Sequence, residues 1–408
     1  MREIAPRDEA EVAAAIAASL AAGSALAIQG RGTRSGYGGT VAAPARLSLA
    51  RMSGIVRYEP TELVMTALPG TPLAQVHAEL ARARQHLAFE PPGGGVWCDD
   101  AVGQGSIGGA FLANLAGPRR LSAGAARDHL LGFRAVNGRG ERFKAGGAVI
   151  KNVTGYDLCK LIAGSLGTLS VVTELTFKTL PAPQVQVTAA FAGAAPGDAF
   201  ALMRALAAGP AEPGALAMLP AGALPGETVG DDARAPVVLA RLEGSQVSVR
   251  ARFDAIARGA AAGTHCLCIE DGRSAAIWAA VRDVAPVMQA QDVPVMLRVA
   301  MPPARARELY ERHVAGRGIH WCFDAGGAWA WLAPPEAQAG AVVSSLRQWL
   351  DGAGAVVIVR GPPEFKARAG VFSTLPAAHA RLIERIRAAF DPAGILNPGR
   401  MPITGASS

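Results

Sequence analysis

The stretch QGRGTRSGYGG, Gln29 to Gly39, constrains this chain more than any other. Its Gly30-x-Gly32 opening begins like the dinucleotide fingerprint G-x-G-x-x-G, but Ser35 stands where the third glycine belongs. A Rossmann loop must also open a helix, so that the pyrophosphate meets the helix N-terminus. After Gly39 the chain instead reads TVAAPARLSLA, a proline-interrupted loop and then a strand pattern. No acidic residue stands about 20 positions further on to hold a ribose. The literal match, GQGSIG at Gly103 to Gly108, comes after GGGVWCDDAV, a loop and not a buried strand. Both stretches therefore fail as Rossmann elements. A helix-free alternative is an anion nest of consecutive backbone N–H groups. Gly30, Gly32 and Gly36 would permit its positive-φ turns, Thr33 and Ser35 would add hydroxyls, and Arg31 and Arg34 would add charge. The same composition also suits a plain surface turn between two strands.

Hydrophobic periodicity places a helix over 7–22, with Asp8 as its cap, Glu11 three residues on, and Val12, Ile16 and Leu20 on one face. ALAIQG, RLSLARM and LVMTALPG are strand patterns, and TPLAQVHAELARAR is a helix with Leu73, Val76 and Leu80 on one side. A short helix fits 107–115. HLLGFRAVNGRGERFKAG is a hairpin turning at Asn137-Gly138. Pro181 and Pro183 mark a boundary. Beyond it strands and helices alternate, from VQVTAAFA to AVVIVRG, as in an α+β domain of antiparallel sheet with helices on one face, open to two ferredoxin-like units. An amphipathic helix in RLIERIRAAF, stopped by Asp391-Pro392, leads into an extended tail.

Bulk properties exclude several classes. The net charge is +7, yet no basic run is interleaved with aromatics, so nucleic acid is not the expected partner. Five cysteines without framework spacing imply no disulfide scaffold. The opening MREIAPRDEAEV is charged throughout and unlike a signal peptide, and no run of about 18 apolar residues occurs. The expected location is cytoplasmic, reaching the inner face of a membrane only through partners.

Three further segments carry a resemblance. They are GSIGGAFLANLAGPRR (Gly105 to Arg120), GYDLCKLIAGSLGTLSVVTEL (Gly155 to Leu175) and FDPAGILNPGRM (Phe390 to Met401). With GRGTRSGYGG and PGTPLAQV they resemble the FAD-binding domain of the vanillyl-alcohol-oxidase (PCMH-type) superfamily. GPRRLSAGAARDHLLGFRAVNGRGE and KNVTGYDLCKLIAGSLGTL carry a closer likeness to the FAD-binding E subunits of bacterial glycolate oxidases. The likeness is dense from about 25 to 181 and sharp again at 390–401. It implies an α+β fold: a two-lobed PCMH-type FAD-binding domain at 1–181, an α+β cap domain with ferredoxin-like antiparallel sheet at 182–389, and a tail at 390–408 returning to the flavin site.

By the same resemblance, Gly30, Arg31, Gly32, Thr33, Arg34 and Ser35 cradle the FAD pyrophosphate. Pro69, Gly105, Ser106, Ile107, Gly108 and Gly109 line the cofactor, with Gly117 and Arg119 just beyond. Asp157, Gly164 and Gly167 form a third segment, Val171 and Val172 the strand beside the flavin ring, and Asn397 the returning tail. Thr33 occupies the place where some relatives attach flavin through a histidine, which implies non-covalent FAD.

Other residues carry rival readings. His265-Cys-Leu-Cys268 puts both thiols on one strand face and the histidine on the other, with no second ligand pair, so no metal is expected. Cys98 and Cys159 fit as small buried residues near flavin segments. Asp128 and His129 are adjacent on a strand and point apart, so they form no dyad. Lys151 and Arg134 would either place positive charge near the flavin or face solvent. Oxidising a 2-hydroxy acid calls for a base and an arginine on the carboxylate. Related catalytic subunits carry H-x-G-D-G-N-x-H in the C-terminal domain. The nearest stretch here, IHWCFDAGGAWAW, keeps His320 but lacks the second histidine and the asparagine. The resemblance thus implies a flavin-bearing companion to a catalytic FAD subunit and an iron–sulfur subunit, in a complex oxidising glycolate to glyoxylate and reducing a quinone. Two alternatives stand beside it. One is a self-sufficient dehydrogenase of a small 2-hydroxy acid such as D-lactate, using His320 and Arg360. The other is a structural subunit of the complex.

Overall fold

The computed structural model describes residues 1–93, 105–147, 156–223, 235–259, 264–288 and 293–401. Cys98 and Lys151 lie outside the described residues. The chain divides into two compact units. The first comprises 1–116, 125–182 and 366–408; the second comprises 117–124 and 183–365. This differs from the expected division in two places. The returning segment begins at Lys366 and not at Phe390, because the helix Ala377–Phe390 lays Ile386 and Phe390 on the core of the first unit. The segment 117–124 belongs to the second unit.

The first unit has two lobes. One is a parallel sheet of β1 (Arg2–Ile4), β2 (Leu26–Gln29) and β3 (Ala45–Ser48), ordered β1-β3-β2. The helix Glu9–Ala21 covers it with Val12 and Ile16, which are fully buried beside Leu26 and Leu47. Asp8 caps that helix by accepting the N–H of Glu11 at 2.9 Å, while the Glu11 carboxylate reaches back to the N–H of Arg7 at 2.8 Å.

The other lobe is antiparallel: β4 (Ile55–Glu59), β5 (Val64–Ala67), β7 (Leu130–Asn137), β8 (Arg142–Gly146) and β9 (Ser170–Lys178), ordered β4-β5-β9-β7-β8. A small antiparallel pair, β6 (Gln85–His86) with β10 (Leu180–Pro181), belongs to the same unit. Strand alternation sends successive residues of β9 to opposite faces. Val171 joins Val12, Ile16 and Leu26, whereas Val172 joins Phe111, Ile162 and Leu175. The hairpin between β7 and β8 closes over Gly138-Arg139-Gly140, with Gly140 at φ 79° and the Asn137 side chain accepting the N–H groups of Arg139 and Glu141. It is a three-residue loop and not the two-residue turn that Asn-Gly suggests.

The second unit is an eight-stranded antiparallel sheet. Its strands are β11 (Val185–Ala192), β12 (Ala215–Leu219), β13 (Val237–Gly244), β14 (His265–Glu270), β15 (Met296–Ala300), β16 (His320–Asp324), β17 (Trp329–Ala333) and β18 (Ala355–Arg360). The order β14-β11-β13-β12-β16-β17-β15-β18 is two ferredoxin-like units joined edge to edge through β12 and β16. One sheet face packs helices through Val187, Leu242 and Val249, and through Phe200 on Phe323 at 4.9 Å between ring centroids.

Candidate cofactor site

The glycine loop leaves β2 at Gln29 and lines an open cleft with a cavity volume of about 110 Å³. Gly32 has φ 76°, but Gly30 and Gly36 do not adopt positive φ. Gly30 is glycine for a different reason: a Cβ there would stand 2.3 Å from Ser106 Oγ. Gly108 likewise lets the segment pass Pro69, whose carbonyl oxygen would be 2.7 Å from an added Cβ. Ser106 caps the short helix Ile107–Leu112 by accepting the N–H of Gly109 at 3.2 Å.

Among the described residues, the backbone N–H groups of Gly30, Arg31, Gly32 and Thr33 have no hydrogen-bond partner. The turn therefore presents four consecutive donors, as an anion nest does. The cleft lining holds Arg31, Arg34 and Arg400 and no carboxylate, and Leu49, Leu112, Leu166 and Val172 supply apolar walls. A row of amides with three guanidinium groups beside an apolar wall fits a pyrophosphate joined to an aromatic ring system.

The C-terminal segment completes the cleft from the far end of the sequence. The backbone N–H of Leu26 donates to Ile395 and that of Asn397 donates to Leu26, extending the parallel lobe by a bridge. The Asn397 side chain, 2 % exposed, accepts the N–H of Ile28 at 2.6 Å and donates to the Leu166 carbonyl at 2.8 Å. Arg400 donates to the carbonyls of Ser35 and Tyr37, the latter at 2.9 Å, and Lys366 donates to the carbonyl of Gly36.

Of the expected cofactor residues, Gly30, Arg31, Gly32, Thr33, Arg34, Ser35, Pro69, Ser106, Gly108, Gly109, Gly167, Val172 and Asn397 line this cleft. The others stand outside it. Ile107 is a core residue, and Val171 faces the opposite side of β9 from Val172. Gly105 gives Arg34 room, since an added Cβ would meet its guanidinium. Asp157 caps the helix Leu158–Ile162 by accepting the N–H of Lys160 at 3.1 Å. Gly164 has φ 89° and packs on Asn114. Gly117 and Arg119 belong to the second unit, where Arg119 forms a fork with Glu243 through bonds of 3.0 Å and 3.1 Å from Nε. Arg134 pairs with Glu9 at 2.9 Å and does not line the cleft.

Sequence reasoning missed Tyr37, Leu49, Leu112, Ala113, Leu166 and Arg400. Leu112 and Ala113 were accessible to it, because they fall three and four residues after Gly109 on one helical face. Leu166 was not, because its position depends on a left-handed backbone, φ 52°, in a glycine-flanked turn.

His129 is buried against Phe89 at 5.3 Å between ring centroids, and the Asp128 carboxylate accepts the N–H of Ala125. Burial pushes the Cys159, Cys266 and Cys268 thiols up to about 11, so they remain protonated and poor nucleophiles at neutral pH. His320, on the interior strand β16, and Arg360, on the edge strand β18, occupy the same row of the sheet, His320 facing Ala333 and Arg360 facing Met296. Three strand spacings, roughly 14 Å, separate them, so they are not brought together as base and carboxylate anchor. No group of histidine, cysteine and acidic residues able to hold a metal occurs among the described residues. Nor is any helix among them long and apolar enough to cross a membrane.

This first unit is an FAD-binding fold of the PCMH-type, vanillyl-alcohol-oxidase superfamily: residues 2–146 match the FAD binding domain family, and residues 373–401 match the C-terminal domain of FAD linked oxidases. FAD is the cofactor that this binding domain takes. Among curated proteins it is 42% identical over 163 residues to glycolate oxidase subunit GlcE of Escherichia coli, covering 40% of this chain and 44% of that one. It is 31% identical over 188 residues to glycolate oxidase subunit GlcD of Bacillus subtilis, covering 45% and 38%. It is 34% identical over 163 residues to a D-2-hydroxyglutarate dehydrogenase of Xanthomonas citri, covering 39% and 33%. The matched stretch spans less than half the length of each relative. Among solved structures, 4-ethylphenol oxidase from Gulosibacter chungangensis superposes with a TM-score of 0.69 at 17% identity, over 99% of this chain and 89% of that one. An alkyldihydroxyacetonephosphate synthase does so at 0.68 and 14% identity, over 97% and 76%. At such identities the likeness establishes the fold alone.

Proposed function

We propose that this chain is the FAD-bearing companion subunit of a complex that oxidises glycolate to glyoxylate and passes electrons through a partner's iron–sulfur clusters to a quinone. The observation that carries the reading is the cleft at Gly30–Ser35, with its four unpartnered amides, three arginines and no carboxylate among the lining residues. The identity to the GlcE subunit favours glycolate over other hydroxy acids. Gly30 to Ser35 would hold the pyrophosphate, Leu112, Leu166 and Val172 would flank the cofactor, and Asn397 and Arg400 would brace the cradle from behind. Bound FAD supplies two-electron redox chemistry. Its attachment is non-covalent, because Thr33 offers no nucleophile comparable to a histidine ring. A companion role is favoured over self-sufficient catalysis by the separation of His320 from Arg360. Membrane contact would come only through partner subunits.

The test is spectroscopic. The purified chain should show a flavin spectrum, release FAD on acid precipitation, and take it up again after removal. Anaerobic glycolate should leave the isolated chain oxidised and should bleach it once the catalytic partner is added. A colourless chain that cannot be reloaded overturns the flavin role, and rapid bleaching without a partner overturns the companion role.

A further inference from the structure

The second unit carries an arginine that neither the cofactor cleft nor the Arg119–Glu243 fork accounts for. In β15, β16 and β17, residues directly opposite in register share a sheet face. Arg298 faces Trp331, which faces Cys322; Ala300 faces Trp329, which faces Asp324. Ala300 is small, so the Arg298 side chain can lean along the sheet. Its guanidinium lies 4.7 Å from the Trp329 ring centroid and 5.8 Å from that of Trp331. The segment 117–124 adds Arg120, 4.5 Å from the Trp329 centroid.

Two other arginines stacked on indoles find partners. Arg305, over Trp349, donates to the carbonyls of Trp349 and Leu350; Arg241, over Trp278, has a buried Nε without a hydrogen bond but keeps an ion pair with Glu243 at 3.7 Å. Arg298 differs. Among the described residues its side chain makes no hydrogen bond and no ion pair, and its Nε is buried without an acceptor. Indole faces balance part of its charge but satisfy none of its N–H groups. The Trp329 and Trp331 rings meet at 90°, so they hold the guanidinium in the corner between them, and its N–H groups are the kind that a carboxylate meets with two parallel bonds.

We propose that Arg298, held against Trp329 and Trp331 and supported by the charge of Arg120, is a recognition site for a small monocarboxylate, which this chain binds without oxidising it. The Asp324 carboxylate on the same face selects against a dianion such as phosphate, because it would repel the second charge. The inference deepens the proposed function, on which it rests for the identity of the acid, and adds a residue distinct from His320 and Arg360.

The experiment is isothermal titration of the full flavin-loaded chain with glycolate, D-lactate, neutral glycolamide and inorganic phosphate at constant ionic strength. Wild type, Arg298→Lys and Arg298→Leu are compared, with flavin absorbance and melting temperature recorded for each. Saturable carboxylate binding is expected in the wild type. It should be about tenfold or more weaker in Arg298→Leu and intermediate in Arg298→Lys, with glycolamide and phosphate inert and flavin content unchanged. Equal carboxylate affinity in wild type and variants overturns the site, as does binding of glycolamide or phosphate as tight as that of glycolate, or no carboxylate binding at all. If Arg298→Leu fails to fold, Arg298→Lys decides by the same criterion. Loss of flavin from the wild type instead counts against the flavin reading and leaves the carboxylate titration to be judged by itself.

Discussion

Asn397 Oδ1 accepts the backbone N–H of Ile28 at 2.6 Å, joining residues 369 positions apart. Its Nδ2 donates to Leu166 at 2.8 Å and, more weakly, to Ile28 O at 3.3 Å. One buried amide thus ties β2, which launches the glycine loop, to the turn that carries Leu166 into the cleft. Asn397→Asp removes the donor and sets a carboxylate against two carbonyls, so it should cost more than Asn397→Ala. Each lost buried bond is worth about 1–3 kcal/mol. Urea unfolding and then FAD titration check both effects. A variant Asn397→Asp that is as stable and as tightly loaded as the wild type would show that the clamp is dispensable.

Gly30 and Gly32 are glycines for separable reasons, and mutation should separate them. Gly30→Ala drives a methyl to 2.3 Å from Ser106 Oγ, whereas Ser106 Cβ lies at a tolerable 3.4 Å. Adding Ser106→Ala should therefore restore much of the FAD affinity lost in Gly30→Ala, less about 1 kcal/mol of stability for the lost helix cap. At Gly32 the nearest atom, Gln29 Oε1, is 3.4 Å away, so space is not limiting; φ 76° is. Gly32→Val should abolish flavin retention, and no change at a neighbour should rescue it. Rescue of Gly32→Val by Gln29→Ala would show that crowding, not backbone conformation, had been the cause.

Much of this architecture was legible in the sequence because its signals are local. The helix at Glu9–Ala21, the β7–β8 hairpin and the alternation of the second unit all arise from periodicity and turn residues within a short window. β1 was not legible: Arg2 and Glu3 are charged, and this three-residue strand exists only because β3 offers a parallel partner. The helix Pro363–Ala369 was missed for a similar reason, since its place depends on where the chain re-enters the first unit. In the site, the glycine segment could be found by residue type, but its geometry could not. Positive φ at Gly30 and Gly36 was expected and did not occur, because Gly30 answers to Ser106, a residue far along the chain. Arg119 and Arg134 looked like charges available to a cofactor. Their carboxylate partners, Glu243 and Glu9, lie 124 and 125 residues distant and could not be paired by inspection.

That reassignment of Arg119 has a measurable consequence. Arg119→Ala should leave FAD content unchanged while destabilising the second unit, because Arg119 and Glu243 side chains are 11 % and 15 % exposed. Glu243→Ala should cost more, about 3–5 kcal/mol, since it leaves Arg241, 1 % exposed, beside a second guanidinium without their shared carboxylate. Thermal unfolding with flavin absorbance on the same sample distinguishes this from a cofactor role. Flavin loss in Arg119→Ala with unchanged melting would return the residue to the cofactor site.

Arg400 and Lys366 give the C-terminal segment a similar test. The carbonyls of Ser35, Gly36 and Tyr37, in the loop that follows the four unpartnered amides, are met by these two cations. Arg400→Leu should weaken FAD binding by about tenfold, with Arg400→Lys retaining part of the affinity. Titration of the apo chain with FAD reads the effect. Identical affinity in Arg400→Leu and wild type would mean that the loop holds its shape without the cation.

The Glu9–Arg134 pair sets a pH dependence. Hydrogen bonding from Arg134, aided by Thr173, holds the Glu9 carboxyl below its ordinary value against the opposing effect of burial. A carboxyl whose folded pKa is depressed stabilises the native state above its unfolded value near 4.5, and that stability is lost as pH falls through the lower folded value. Arg134 is half exposed, which limits the contribution to about 1 kcal/mol. Glu9→Gln should therefore unfold at lower urea than the wild type at pH 7, and the two should converge as pH falls below 4.5 toward the folded value. A difference that persists unchanged at the acid end would mean that Glu9 anchors its helix to β7 and β9 by packing and not by charge.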